Sequence, residues 1–189
     1  MRANRLTVSL AATVALALAS STAHAQVKVT SGGDVVSVTQ KNVVDHLITG
    51  DSIEVAAAQL AVARTKNAAV RDYANMLITD HKAHLENLNK LAGKKDIGRE
   101  ASSADTSTAM AIKSLTELNA LPADSTFDRA FISGQIAHHT MEIAAVKMLR
   151  PVATDDALQK DIDGTLPVLE KHLARAKEVA AQLGAPGTL

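Results

Sequence analysis

The feature of the sequence that most limits the fold is a helical apolar periodicity, which recurs in four long segments. In each segment, apolar residues recur at alternating spacings of three and four, so they lie on one face of an α-helix. These spacings predict helices over about residues 40–65, 68–92, 125–149 and 155–183. Residues that end helices follow each segment: Asn67, Gly93, Pro151 and Gly184.

The links between these helices predict how they are arranged. The links inside the first pair and inside the second pair are short, whereas about 30 residues separate the two pairs. That long link contains a short amphipathic helix over about residues 107–120, which Pro122 ends. The pattern predicts an all-α, ferritin-like four-helix bundle: two antiparallel hairpins joined by a long crossover, with helices two and three parallel. Ser125 is the predicted N-cap of the third helix, with Asp128 in a capping box.

The N-terminal segment has the pattern of a secretory signal peptide. Two arginines precede a mostly apolar run, and Ala23-His24-Ala25 is a small-x-small cleavage site. We therefore expect residues 1–25 to be removed after Ala25 and the protein to be periplasmic or secreted. Residues 26–38 are predicted to be an irregular leader, and residues 39–189 the bundle domain.

Composition excludes several classes of function. The chain has no cysteine, which excludes disulfides, thiolate metal sites and a lipoprotein anchor. Lys+Arg and Asp+Glu are equal at 20 each, and aromatic residues are 2% of the chain, so nothing favours nucleic-acid binding. The apolar run near the N-terminus is shorter than the roughly 20 residues that a membrane span needs, and no later segment is long and uncharged enough.

Ionisable residues occupy core-facing positions near the middle of all four predicted helices. An ionisable group in a core costs several kcal/mol unless it is paired or binds a metal, so the coincidence favours one shared site. Imidazole and carboxylate ligands suit Cu, Zn, Fe or Mn. The predicted ligands are Glu54, His81, His138 and His172, with His84 and Glu142 as alternates. Asp51 and Asp80 are candidates for orienting a ligating imidazole.

Each of these residues also has a plainer interpretation. A single core histidine is often only hydrogen-bonded, and Glu54 with a histidine forms an ordinary buried ion pair. Met141 and Met148 are predicted to fill gaps in the core, although their thioethers would favour copper if they faced the site. Pro167 is expected to kink or break the fourth helix near Gly164 and so to aim His172. Solvated positions are predicted for His46, His139, Asp80 and Glu170.

The segments "GDSIEVAAAQLAVARTKNAAVRDYANMLITDHKAHLENLNKLA", "FDRAFISGQIAHHTMEIAAV" and "LPVLEKHLARAKEV" resemble the exported bacterial proteins grouped as domain of unknown function 4142. The resemblance covers about residues 40–184, and its most specific parts are Glu54, Asp80-His81, His138 and Pro167 to His172. "AHHTMEIA" is similar to the His-His signature of domain of unknown function 305. Both resemblances imply a ferritin-like fold and no established activity. The Glu-x-x-His motif of di-iron ferritins is absent from the sequence.

Three hypotheses follow for the function. The first is an exported helical bundle that binds a transition metal in its core, for metal handling or stress protection in the cell envelope. The second is a metal-free scaffold or interaction protein whose core polar residues form a hydrogen-bonded network. The third is an enzyme, a di-metal oxidase or a hydrolase, although no Ser-His-Asp or Gly-rich phosphate motif favours other catalysis.

Overall fold

The protein is a helical bundle preceded by a β-hairpin. The computed structural model describes residues 27–31, 34–94, 97–102, 105 and 107–184, so the predicted signal peptide lies outside the described residues. Within these residues the helices begin and end within about two residues of the predicted bounds. The elements are β1 (Val27–Ser31), β2 (Asp34–Val38), α1 (Gln40–Arg64), α2 (Ala68–Ala92), α3 (Ser107–Ala120), α4 (Ser125–Leu149) and α5 (Asp156–Gln182).

The segment before the bundle differs from the expected irregular leader of residues 26–38. Strands β1 and β2 pair antiparallel, with Val27 opposite Val38 and Ser31 opposite Asp34. The physical reason is composition, because the valines and threonine of this segment are β-branched and favour extended backbone.

Contacts between side chains give the direction of each helix. Asp80 contacts His172, and one turn further along α2 His84 contacts Asp161, so α2 and α5 run antiparallel. In the same way, Glu54 contacts His138 and His46 contacts Glu142, so α1 and α4 run antiparallel. Because α1 and α2 form one hairpin and α4 and α5 the other, α2 and α4 are parallel. The predicted all-α bundle with a crossover is confirmed.

The crossover between α2 and α4 follows α1 from one end to the other. Near the start of α1, Asn42 Nδ2 donates to the carbonyl of Glu100 at 2.8 Å and Arg99 Nε to Asp45 Oδ1 at 2.6 Å. At the end of α1, Arg64 Nη1 donates to the carbonyl of Asn119 at 2.6 Å. The long link therefore carries the chain back to the end of the bundle where α4 begins.

Asx caps fix where three helices begin. Asn67 Oδ1 accepts from the backbone N–H groups of Ala69 and Val70, which starts α2 directly after α1. Asp155 starts α5 in the same way. The cap of α4 is Asp124, which accepts from Thr126 N at 2.7 Å, so the prediction of Ser125 was wrong by one residue. Gly184, with φ +64°, ends α5 as predicted.

A polar layer divides the core of the bundle into two apolar clusters. The first cluster includes Val43, Val44, Leu47 and Ile48 of α1 with Leu88 and Leu91 of α2. The second includes Ala57, Ala58 and Ala61 of α1, Val70, Tyr73, Ala74 and Leu77 of α2, and Phe127 and Phe131 of α4. Between them along every long helix lies the polar layer, which consists of Asp51, Glu54, His81, His84, His138, His139, Thr165 and His172.

Among the described residues, none of the helices combines the length and apolar character needed to cross a membrane.

Candidate metal centre

Three buried imidazoles meet at the centre of the polar layer. His81 lies on α2, His139 on α4 and His172 on α5, with residue exposures of 5%, 0% and 0%. One ring nitrogen from each lies within 4.8 Å of those of the other two. The ring centroids of His172 are 5.1 Å from those of His81 and 5.3 Å from those of His139. Ring nitrogens this close, on three different helices, are a usual arrangement for a metal site.

Hydrogen bonds to the far side of each ring determine its tautomer. His139 Nδ1 donates to the carbonyl of Gln135 at 3.0 Å, His172 Nε2 to Asp80 Oδ2 at 2.9 Å, and His81 Nδ1 to Asp51 Oδ1 at 2.8 Å. All three partners are acceptors, so these nitrogens carry the protons. The lone pairs are therefore on His139 Nε2, His172 Nδ1 and His81 Nε2.

The three nitrogens that carry these lone pairs are all acceptors, so none can donate a hydrogen bond to another. His81 Nε2 is buried without a hydrogen-bond partner among the described residues. His139 Nε2 and His172 Nδ1 are 3.3 Å apart. Burial, the largest effect, lowers the pKa of His172 and lowers that of His139 to about 4, so both rings are neutral at pH 7. Two nitrogens bound to one tetrahedral ion at about 2.0–2.1 Å lie about 3.4 Å apart, which agrees with the observed separation.

Glu54 and His138 lie beside the three imidazoles. Glu54 Oε1 is 2.7 Å from His138 Nδ1, with the carboxylate 5% and the imidazole 25% exposed. Glu54 Oε2 and His138 Nδ1 are nevertheless buried without an aligned hydrogen bond. Burial disfavours both charges, but their attraction outweighs it, so the pKa of Glu54 is well below its usual range and that of His138 is raised to about 8. Ligand atoms of Glu54, His138 and His139 also lie within 4.8 Å of one another.

A small chamber lies between these groups. Its volume is ≈ 10 Å³, which is close to the space that one water molecule occupies. A single metal ion with its ligands in the wall fits such a space, and an organic substrate does not. The lining includes Glu54, His81, His138 and His139.

The carboxylates behind the imidazoles are themselves paired with cations. Asp51 Oδ2 lies 2.8 Å from His84 Nδ1, and His84 Nε2 lies 3.0 Å from Asp161 Oδ2. Burial lowers the pKa of His84, but Asp161 and Asp51 outweigh burial and raise it to about 9, so this ring is cationic. Asp80 accepts from Lys171 Nζ at 3.0 Å. His81 and His172 therefore donate hydrogen bonds to carboxylates that stay ionised, which fixes the ring orientations.

The structure places all four predicted ligands in the polar layer but in two clusters: His81 and His172 meet at His139, and so do Glu54 and His138. Glu54, His81 and His172 are buried in the polar layer, and His138 is half-buried against Glu54. The alternate ligand His84 lies further from the three imidazoles, in contact with Asp51. The other alternate, Glu142, lines the chamber and contacts His46 Nε2 at 3.2 Å. Their roles as ligands stay predictions.

The predicted core-facing row of α4 was wrong from its middle onward. His139, expected in solvent, is fully buried, while Met141 and Met148, expected in the core, are 58% and 44% exposed. The buried row includes Ile132, Ile136, His139 and Val146. An apolar signal for this row was present, because Ile132, Ile136, Ile143 and Val146 are spaced as one helical face with His139 between them.

Three other predictions also need correction. His46 is not solvated, because its side chain is 12% exposed and contacts both Asp105 and Glu142. Asp80 is half-buried beneath His172 and Lys171. The fourth helix does not break near Gly164, since α5 continues through Pro167 from Asp156 to Gln182. Glu170 is 56% exposed, as predicted.

The family follows from a direct comparison. A family model described as "Domain of unknown function (DUF4142)" matches residues 19–179. The chain belongs to this family. The resemblance to domain of unknown function 305 stays a prediction.

The DUF4142 chain is also similar to a solved structure. That structure is titled "CopM in the Cu(I)-bound form"; the TM-score is 0.61 and the identity 15%, over 77% of this chain and 97% of that chain. At this identity the similarity shows a shared fold. No curated protein matches the sequence.

Proposed function

We propose that this protein is exported to the periplasm or secreted, and that it binds one transition-metal ion in the core of its bundle for metal handling or stress protection in the envelope. The ligands are His81, His139 and His172. Glu54 is the fourth donor, because its Oε2 is buried beside the imidazoles without a partner.

The observation that supports this proposal is the orientation of the three rings. Each imidazole donates a hydrogen bond from one ring nitrogen, while the other nitrogens of His139 and His172 face each other at 3.3 Å and Nε2 of His81 is buried without a partner among the described residues. Facing lone pairs repel one another and leave buried acceptors unsatisfied, which costs about 1–3 kcal/mol for each group. A metal ion accepts all three lone pairs and removes that cost. Hydrogen bonds from ligating histidines to carboxylates or carbonyls are the usual support of such sites.

The set of donor atoms limits which metal ions the site can bind. Three imidazoles and a carboxylate suit Zn²⁺ and Cu²⁺ among the four candidate metals, and Fe and Mn less well in a small four-ligand site. Met141 and Met148 are exposed on α4, so their thioethers add no soft donor to the chamber. The copper named in the CopM title supports copper as the second metal to test after zinc.

The size of the chamber favours binding rather than turnover. Its ≈ 10 Å³ is about the space that one ion or one water molecule occupies. A catalytic metal keeps an open position for water or substrate. Metal handling is therefore better supported than the di-metal oxidase or the hydrolase.

Thermal unfolding with added metal tests the proposal. An ion that binds only the folded protein stabilises it by about 2.7 kcal/mol at 100 times the dissociation constant. We expect Zn²⁺ to raise the Tm of the wild type and to have almost no effect on His172→Ala, which lacks a fully buried ligand. The variant His46→Ala is the matched control, because both nitrogens of His46 already face carboxylates. It should lose stability equally with and without metal.

The opposite results would contradict the proposal. If the wild type shows the same Tm with a chelator as with Zn²⁺, Cu²⁺, Fe²⁺ and Mn²⁺, no metal binds the folded bundle. The polar layer would then be a hydrogen-bonded network in a metal-free scaffold.

A further inference from the structure

We propose that Glu54 and His138 form a capture site, through which a metal ion enters the chamber and reaches His81, His139 and His172. This inference rests on the proposed function, because it concerns the route into the same centre.

Exposure distinguishes His138 from the other imidazoles of the centre. Its side chain is 25% exposed, whereas those of His81 and His172 are 6% and 0% exposed and His139 is fully buried. Of these four, it is therefore the ring that an ion in solvent can reach before any helix moves.

Glu54 and His138 place a carboxylate and an imidazole side by side, each with an atom that could bind a metal ion. Their closest atoms are 2.7 Å apart, but Glu54 Oε2 and His138 Nδ1 lack an aligned hydrogen bond. A carboxylate next to an imidazole binds divalent ions, and its negative charge attracts a cation to the entrance. Glu142 lines the same chamber and adds a second carboxylate at this side.

His139 connects the capture site to the buried imidazoles. Its ligand atom lies within 4.8 Å of those of Glu54 and His138, and also within 4.8 Å of those of His81 and His172. The chamber touches both Glu54 and His138 on one side and His81 and His139 on the other. An ion held by Glu54 and His138 can therefore bind His139 without leaving its first ligands, and then exchange His138 for His81 and His172 while Glu54 stays bound.

A second opening, the cleft between α2 and α5, leads to the wrong side of the centre. This cleft has a volume of ≈ 750 Å³ and is lined by Asp80, His81, His84, Lys171 and His172 among others. The ring nitrogen that His172 directs to Asp80 is Nε2, which is already hydrogen-bonded at 2.9 Å. Its other nitrogen, Nδ1, faces His139 in the core. An ion in the cleft would therefore meet Nε2 of His172, which carries a proton.

The rate of metal uptake tests the route. Co²⁺ in a site of three imidazoles and a carboxylate absorbs visible light, so stopped-flow absorbance follows its entry. We expect His138→Gln to slow uptake at least about tenfold, while the final absorbance and the Co²⁺ bound per chain match the wild type. Two controls, Gly164→Leu, which adds a side chain to the lining of the cleft, and His46→Gln at the α1–α4 interface, should leave the rate within about twofold.

The other outcomes would overturn the proposal. An unchanged rate in His138→Gln excludes the capture role, and a slow rate in Gly164→Leu alone assigns entry to the cleft. If His138→Gln binds one Co²⁺ fewer than a wild type that holds two, His138 is a ligand of a second resident ion. A wild type that takes up no Co²⁺, Zn²⁺ or Cu²⁺ at equilibrium overturns the proposed function itself, and the route with it.

Discussion

The second apolar cluster and the polar layer lie next to each other on the same four helices, but they are packed in opposite ways. In the apolar cluster, Tyr73 and Phe131 meet edge to face with centroids 6.2 Å apart, and both are almost fully buried. In the polar layer, rings at similar spacings direct unshared lone pairs and charges at one another. The first arrangement gains free energy from every contact. The second leaves buried groups unsatisfied.

The difference indicates that the two regions have separate tasks. A bundle without cysteine depends on packing for its stability, and the two apolar clusters provide that packing. They hold the helices in place while the polar layer retains groups that are unfavourable in the absence of an ion. Positions that lower stability while serving function are a recognised pattern in natural proteins. Substitutions in the two regions should therefore have different sizes and different responses to metal.

The largest expected effect is in the apolar cluster. Phe131→Ala removes a ring that is 2% exposed and leaves a cavity, so the free energy of unfolding should fall by about 3–5 kcal/mol. Urea unfolding with and without Zn²⁺ measures this loss. It should be the same in both conditions, because Phe131 does not contact the metal centre. A loss below about 1 kcal/mol would show that the cluster is not the main source of stability.

A smaller effect should come from the Glu54–His138 pair, and it should depend on pH. Burial lowers the pKa of His138, but Glu54 outweighs burial and raises it to about 8. A histidine with a raised folded pKa stabilises the protein fully below its unfolded pKa of about 6.5, and this contribution is lost as pH rises through about 8. The pKa of Glu54 is lowered by the same pair, so its contribution is lost as pH falls below about 4.5.

We therefore expect the metal-free wild type to lose about 2 kcal/mol more than His138→Gln between about pH 6 and pH 9. Unfolding curves of both proteins at the two pH values measure the difference, which cancels the contributions of His46 and His84. Equal losses in the two proteins would show that the contact between Glu54 and His138 is not an ion pair in solution.

The smallest expected effect is a gain, rather than a loss, in the free energy of unfolding. In His139→Leu, an apolar side chain replaces a ring that is neutral and fully buried, and whose outer partner is only a backbone carbonyl. The metal-free protein should gain about 1 kcal/mol, because an unsatisfied lone pair is removed. Stabilisation by Zn²⁺ should disappear at the same time. The control is His139→Asn, which keeps a buried polar group and should not gain stability. If His139→Leu lowered the free energy of unfolding as much as Phe131→Ala does, the polar layer would stabilise the protein in the same way as the apolar cluster.

The sequence predicted the helices well because their ends depend on local chemistry. Asn67 and Gly184 act at helix boundaries through their own backbone and side-chain preferences, which need no tertiary information. The apolar spacing likewise predicted the core rows of α1, α2 and α5. The burial of Glu54, His81 and His172 was predicted from this spacing alone.

The core-facing row of α4 was predicted wrongly because residues of two neighbouring rows are buried at the start of the helix. Phe127 and Asp128 are both buried, and a strict seven-residue repeat from Phe127 leads to His138 and Met141. An α-helix with 3.6 residues per turn drifts away from that repeat by about 20° every two turns. The inward row instead passes through Gln135 and His139, and a buried glutamine and a buried aspartate are rarely taken as core residues.

The contacts that surround the proposed ligands could not be predicted from the sequence, for a different reason. His46 contacts Asp105 of the crossover and Glu142 of α4, which are 59 and 96 residues away in sequence. His84 contacts Asp161 across 77 residues. Helical periodicity places a side chain on a face, but it does not give the rotation and height of a partner helix. Those depend on packing of the whole bundle.

Tyr73 gives the fold an optical property. It is the single tyrosine of a chain without tryptophan, and it is 1% exposed at the border of the polar layer. Burial raises its pKa well above the usual range, and the charge of Glu54 adds to that increase. Ultraviolet emission from the protein therefore comes from one position next to the candidate metal centre. Cu²⁺, with its open d shell, quenches a nearby phenol and Zn²⁺ does not, so the unlabelled protein reports which of the two ions occupies its core.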